Sequence, residues 1–225
     1  MKNSKIKILL TLAVVALLFA FTTPAKAQKA EFGFRYMPTF SSFDMQASDG
    51  NTIKGEVTVS HGLGVLLGYN FNEYVGIQGE VIYSSVARRY SEPPFEHKVV
   101  LKYVNIPLLL SLNTGKTNMV NLNIVAGPQI GIRVGSHLYT SGDGVLLARP
   151  LLEVKKTDLG FAYGAGLDVG LNEERTFRLG LGFRGVYGLV NISDNSTTTS
   201  TDTYYILERT NIETYSGYIG FSVLF

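Results

Sequence analysis

Three groups of residues have types and spacings that chemistry uses. Gly180, Gly182 and Gly185 fit the G-x-G-x-x-G spacing of a dinucleotide site. That motif requires a helix to begin inside it, so that the helix N-terminus meets a pyrophosphate. His61, His97 and His137 are the candidate metal ligands or general bases. His137, with Ser136 beside it and Asp143 nearby, has the residue types of an acyl-transfer site, whose base must be held by an orienting group. The third group is charged: Arg35, Glu80, Lys102, Arg133, Asp168, Arg178 and Arg184. Enclosed together, these would form either a salt-bridged plug or the lining of a narrow path.

The elements around these residues decide among the readings. Phe177, Leu179, Leu181, Phe183, Gly185, Tyr187 and Leu189 alternate with Arg178, Gly180, Gly182, Arg184, Val186 and Gly188, a period of two and therefore a strand. With no helix beginning there, the three glycines read as interior glycines of a barrel and not as a cofactor loop. The same period recurs at 32–40, 61–71, 74–84, 103–112, 122–135, 159–171 and 215–225, which makes eight strands. Short turns fall at Asn72-Glu73, Asn113 to Asn118 and Asn172 to Arg175, and long polar connections near 43–56, 86–98, 136–157 and 192–211. Alternating short and long connections describe an eight-stranded up-and-down antiparallel transmembrane β-barrel, with both termini on the short-turn, periplasmic side.

Such a barrel could also be soluble, with its apolar side chains inside. Here most glycines share a phase with Gln78, Glu80, Gln129, Arg133, Asp168, Arg178 and Arg184, while the other phase carries large aliphatics and rings. Glycine on an outer face leaves the sheet uncovered, whereas in a narrow lumen it makes room for arginines opposite. The bulky phase is therefore expected to face lipid. Phe32, Phe34, Tyr69, Phe71, Tyr74, Phe177 and Phe225 gather at the short-turn end. Tyr36, Phe40, Tyr83, Tyr163, Tyr187 and Tyr215 gather at the long-loop end. Rings favour the two membrane interfaces.

Composition narrows the class further. The 225 residues are 45% hydrophobic and 17% charged, with 24 glycines and no cysteine. The few charges and many aromatic residues exclude a disordered chain, and the missing cysteines exclude disulfide staples and thiolate metal sites. Residues 1–27 read as a cleaved signal peptide: Lys2, Lys5 and Lys7, an apolar run from Ile8 to Phe21, then Ala25-Lys26-Ala27. The apolar run is shorter than the ~20 residues of a spanning helix. Residues 28–225 are then the barrel domain. The formal charge of +2 becomes −2, because removing Lys2, Lys5, Lys7 and Lys26 leaves 16 bases against 18 acids. No electrostatic case for a nucleic-acid partner remains.

Several segments together resemble the PorT-like small outer-membrane β-barrels of Bacteroidetes-type bacteria. They are Tyr103-Val104-Asn105-Ile106-Pro107-Leu108-Leu109-Leu110, Ala126-Gly127-Pro128, Gly164-Ala165-Gly166, and Arg184 followed by Gly188-Leu189-Val190-Asn191. Asn105 stands where that family usually has Glu. The resemblance covers essentially the whole mature chain and implies the fold and an outer-membrane location. Its namesake serves a secretion apparatus, but the motifs specify the fold and hardly the activity, so an envelope or secretion assembly is one setting the resemblance allows. Phe225, closing a strand with Ile219, Phe221 and Val223 on its own phase, resembles the terminal signal read by the barrel assembly machinery.

The site expectations follow from this layout. Arg35, Glu80, Arg133, Asp168, Arg178 and Arg184 form a polar network in the lumen, with Lys102 added to the interior set. Glu80 and Asp168 each contact arginines, and the surplus bases find carbonyls, water or an anion. An eight-stranded lumen is just filled by side chains, so a plug is favoured over a weak pore. His61 faces lipid, His97 lies in a charged loop, and His137 leans over the mouth as the one candidate for a rim enzyme acting on lipids. No cofactor or metal is expected. Arg88 and Arg89 belong to a solvated loop, with lipopolysaccharide phosphates as the alternative contact. The leading expectation is a non-enzymatic barrel in contact with outer-membrane lipids, acting structurally or through its outer loops.

Overall fold

The computed structural model describes residues 29–42, 45–46, 52–53, 56–57, 59–92, 95–141, 155–190 and 213–225. The leader, Asp143 and the Ser/Thr-rich segment at 192–211 lie outside the described residues. Eight strands make the barrel: β1 (Ala30–Ser42), β2 (Val59–Asn70), β3 (Val75–Glu92), β4 (Phe95–Asn113), β5 (Val120–Ser141), β6 (Thr157–Gly170), β7 (Phe177–Gly188) and β8 (Glu213–Leu224). Each strand pairs antiparallel with its sequence neighbours. β1 closes the cylinder on β8, with Glu31 opposite Leu224 and Ser42 opposite Glu213. Closure pairs every strand on both sides through the barrel wall, as a membrane demands of a sheet. No helix occurs among the described residues.

The two phases separate as their residue types dictate. Leu63, Leu67 and Ile124 are 63–65% exposed on the outer wall. Arg178 and Arg184 are 0% and 2% exposed inside it. Gly180 and Gly182 stand in the middle of β7 on the inner phase. Gly185 does not: it falls on the outer phase, where the ring of Tyr163 lies over it and takes the space that a side chain would fill.

The strands on one side run farther than their alternation suggested. The β3–β4 ladder continues to Glu92 opposite Phe95, so residues 86–92 and 95–98 are strand and only Pro93-Pro94 connects them. Charges at Arg88, Arg89, Glu92, Glu96 and Lys98 obscured the period there. β5 likewise runs to Ser141. In the connection after β1, Met45–Gln46 pairs with Thr52–Ile53, and Glu56–Val57 adds to β3.

A bulge interrupts the β4–β5 ladder. Tyr103 stands opposite Arg133, but Lys102 stands opposite Gly135, so Val134 is the extra residue. One inserted residue reverses the facing of everything beyond it. Gly135 and His137 therefore move to the outer phase, while Ser136 turns inward opposite Leu101.

Candidate functional site

The lumen side chains form two tiers. In the middle, Glu80 from β3 receives Arg35 Nη1 from β1 at 2.6 Å. It also receives Arg184 from β7, through Nη2 to Oε1 at 3.0 Å and Nη1 to Oε2 at 3.4 Å. Gln78 Nε2 donates to the same carboxylate. Glu80 is thus braced from both sides of the cylinder. Tyr218 from β8 lies beneath Arg35, whose guanidinium carbon is 4.4 Å from the ring centroid, an attraction of about 2 kcal/mol when desolvated. Gly166 and Gly182 make this position available, because a side chain at either would overlap the Tyr218 phenol.

The second tier closes the short-turn end. The turn after β4 places Gly115 at φ 154°, an angle that side-chain-bearing residues rarely adopt, and sends Lys116 back into the barrel. Lys116 Nζ meets Glu31 Oε2 at 3.0 Å and Asp168 Oδ2 at 3.1 Å. Asn121 and Asn123 also donate to Asp168 Oδ2, at 3.1 and 3.2 Å. Asn121 Oδ1 in turn accepts the backbone N–H groups of Thr114 and Gly115 at 3.1 Å each, which holds the turn in place. Burial opposes the charge on Lys116, but the carboxylates of Glu31 and Asp168 outweigh it and hold its pKa above the ordinary lysine value.

The lumen residues expected from the sequence do not form one network. Arg35, Glu80 and Arg184 meet in the upper tier. Asp168 takes Lys116 on its carboxylate, and Arg178 reaches its backbone carbonyl at 3.2 Å. Arg178 Nη1 lies 3.0 Å from the carbonyl of Asn118 and 3.5 Å from that of Arg175. Arg133 stays near the long-loop rim, donating to Ser136 Oγ at 3.1 Å and to the Lys155 carbonyl at 3.3 Å. Lys102 is not in the lumen. Leu101 and Tyr103 point inward and are buried, which leaves Lys102 on the outer phase.

Glu31, Lys116 and Tyr218 complete the tiers and were absent from the expected set. Glu31 shares the phase of Gly33 and Arg35, so alternation alone could have found it; a turn lysine gives no such signal. Four buried cations (Arg35, Lys116, Arg178, Arg184) face three buried carboxylates (Glu31, Glu80, Asp168) among the described residues.

Above Arg184, a cavity of about 40 Å³ opens toward the long-loop rim, lined among others by Tyr103, Asn105, Asp158 and Ser216. It has room for a few waters. The Tyr103 hydroxyl, Asp158 Oδ1 and Arg184 Nε are buried around it without a hydrogen-bond partner.

The candidate chemistry is not assembled. The glycine triplet lies within a strand. His61 accepts or donates at Nδ1 with the Tyr36 hydroxyl, 2.7 Å away, and stacks on its ring on the outer wall. His97 stands in β4 opposite Tyr90. His137 is on the outer phase beside Tyr139, turned away from the mouth, and Ser136 is held by Arg133. No three His, Asp or Glu side chains converge as metal ligands among the described residues. Phe225 is joined to the first strand by backbone bonds of 2.9 Å in both directions with Ala30.

The outer membrane protein β-barrel domain profile matches residues 13–223. No curated protein matches the chain in sequence. Among solved structures, the outer membrane protein OprG from Pseudomonas aeruginosa superposes with a TM-score of 0.54 at 17% identity, over 88% of this chain and 96% of that one. The outer membrane protein AlkL, solved in lipid bilayers, gives 0.52 at 12% identity over 91% and 95%. The attachment invasion locus protein Ail of Yersinia pestis gives 0.42 at 16% identity over 86% and 97%. At such identities the likeness concerns the fold.

Proposed function

The chain belongs to the outer membrane protein β-barrel family and resides in the outer membrane of a Gram-negative envelope, and from that premise we propose that it is a non-enzymatic, closed barrel acting structurally or through its long connections. The observation that carries this reading is the pair of ion-paired tiers across the lumen. A solute would have to displace Arg35 and Arg184 from Glu80, then Lys116 from Glu31 and Asp168. With eight strands there is no second route around them. The long-loop rim faces outside, both termini face the periplasm, and residues 1–27 are removed on export. Phe225 serves assembly by the barrel insertion machinery. The resemblance around Tyr103 to Leu110 supports PorT-like kinship and a partner in an envelope or secretion assembly.

Two measurements test the proposal. Planar-bilayer recording of the purified barrel is expected to show no discrete conductance steps; regular steps would refute the closed lumen. Crosslinking in the native membrane followed by co-purification is expected to recover an envelope protein with the barrel. Recovery of the barrel alone would leave only the structural role.

A further inference from the structure

The outer wall differs around its circumference at the long-loop end. On β1, β2 and β6–β8 that level carries rings, with Phe183 and Tyr215 stacked at 6.2 Å and Tyr36 on His61 at 5.8 Å. On β3, Tyr83 continues that ring level, and β3, β4 and β5 run on above it to add Lys102, His137 and then Lys98 and Arg89, with the ring of Tyr139 among them. The unbroken β3–β4 register sets Arg89 opposite Lys98 and Ser85 opposite Lys102. Beyond the bulge, β5 sets Tyr139 opposite Lys98, His137 opposite Val100 and Gly135 opposite Lys102. All of these stand on the outer phase.

The stem of Lys102 lies over Gly135, where a Cβ would sit 3.6–3.9 Å from its Cβ, Cγ and Cδ. Gly135 thus provides a bed for the lysine. Arg89 and Lys98 are like charges directly across a ladder, an arrangement that costs stability unless an anion joins them. In the backbone register Glu56 also stands opposite Arg89. No described acid stands in register with Lys98 or Lys102. Lys102 is two residues, about 7 Å, above Val104. Below it, Ile132 and Val134 are exposed on the apolar wall.

We propose that Arg89, Lys98, Lys102 and His137 form a docking face for the phosphate groups of a phosphorylated glycolipid of the outer leaflet. The acyl chains lie against Val104, Ile132 and Val134. The lysine stems follow them upward and place their ammonium groups at headgroup level. Arg89 offers a planar guanidinium to phosphate, and Tyr139 contributes a ring at the interface. The inference rests on the long-loop rim facing outside.

The test titrates detergent-refolded barrel with bisphosphorylated lipid A, its dephosphorylated form and inorganic phosphate, and reads bound lipid by native mass spectrometry. Wild type is expected to retain the bisphosphorylated lipid, less so as salt rises. Lys98→Gln with Lys102→Gln is expected to weaken retention about tenfold to thirtyfold, with recovery in the paired Lys→Arg variant. Lys29→Gln, at the opposite rim, is expected to change nothing. The shift in gel mobility between heated and unheated samples shows that each variant is folded. Equal retention of the dephosphorylated lipid, competition by inorganic phosphate at matching concentration, or unaltered binding in the double variant overturns the proposal. Orientation is read separately, by labelling Thr197→Cys on whole cells with an impermeant maleimide. Absence of labelling overturns the outward rim without bearing on lipid retention in detergent.

Discussion

Replacing Glu80 with Gln isolates the central tier. The change keeps the side chain's shape but leaves Arg35 and Arg184 as two guanidiniums facing each other across the lumen, with no carboxylate between them. Removing one partner from a buried ion pair costs about 3–5 kcal/mol, because an uncompensated charge stays behind. At an m-value of about 2 kcal/mol/M, the urea midpoint should fall by about 1.5–2.5 M. Arg184→Gln leaves Glu80 still bound to Arg35 at 2.6 Å. It should cost less, about 1.5–3 kcal/mol, the worth of hydrogen bonds to a charged group. The double variant is the decisive one. Once the carboxylate is gone, removing a surplus cation relieves repulsion, so the two costs should fall short of adding by 1 kcal/mol or more. The chain has no tryptophan, so unfolding in phospholipid vesicles is best followed by far-UV circular dichroism and by gel mobility without heating. A cost below about 1 kcal/mol for Glu80→Gln, or simple additivity in the double variant, would refute the idea that Glu80 ties the barrel together.

Three further outcomes follow from the same geometry. Lys116→Met should strand Glu31 beside Asp168 and destabilise the fold by about 3–5 kcal/mol at neutral pH, with part of the loss recovered on acidification as the carboxylates protonate. Because the folded pKa of Lys116 lies above its unfolded value, its contribution is fully present at neutral pH; it is lost only as pH rises beyond the ordinary lysine value of 10.5. The stability difference between wild type and Lys116→Met should therefore be flat from pH 7 to about pH 10, and a decline across that range would count against the assignment. Gly166→Ala should cost about 1–3 kcal/mol by overpacking the Tyr218 hydroxyl. Tyr218→Phe in the same chain should return part of that in a denaturant titration. His137→Ala should leave acyl release from outer-membrane lipids at the level of the parent protein, since the imidazole faces away from the mouth; a drop to background would reinstate a rim enzyme.

The barrel was legible in the sequence because one rule, alternation, fixes both strand and facing. Leu63 to Phe71 and Leu122 to Ile132 need no tertiary information to be placed. What alternation could not show was any departure from itself. The extra residue at Val134 leaves the period intact on either side and merely swaps the faces, so alternation alone puts Gly135 and His137 on the wrong one. Charge alone suggests an interior place for Lys102, but it shares a phase with Val104 and Ile106 and stands on the outer wall with them. The candidate tiers were harder still. Glu80 and Arg184 lie 104 residues apart in sequence and meet only because the cylinder closes. Lys116 sits in a turn that reads like any solvated hairpin end; only the fold shows that turn bending back into the cylinder.

If the lumen is closed as proposed, the stacked tiers act as two locks in series. If each stood open a hundredth of the time, a cost of about 2.8 kcal/mol apiece, coincident opening would be about one part in ten thousand. Breaking either lock alone would therefore loosen the molecule long before it leaked, and stability and permeability would fail at different doses of mutation. On that proposal, a descendant of this chain that conducts would have lost both Glu80 and Lys116.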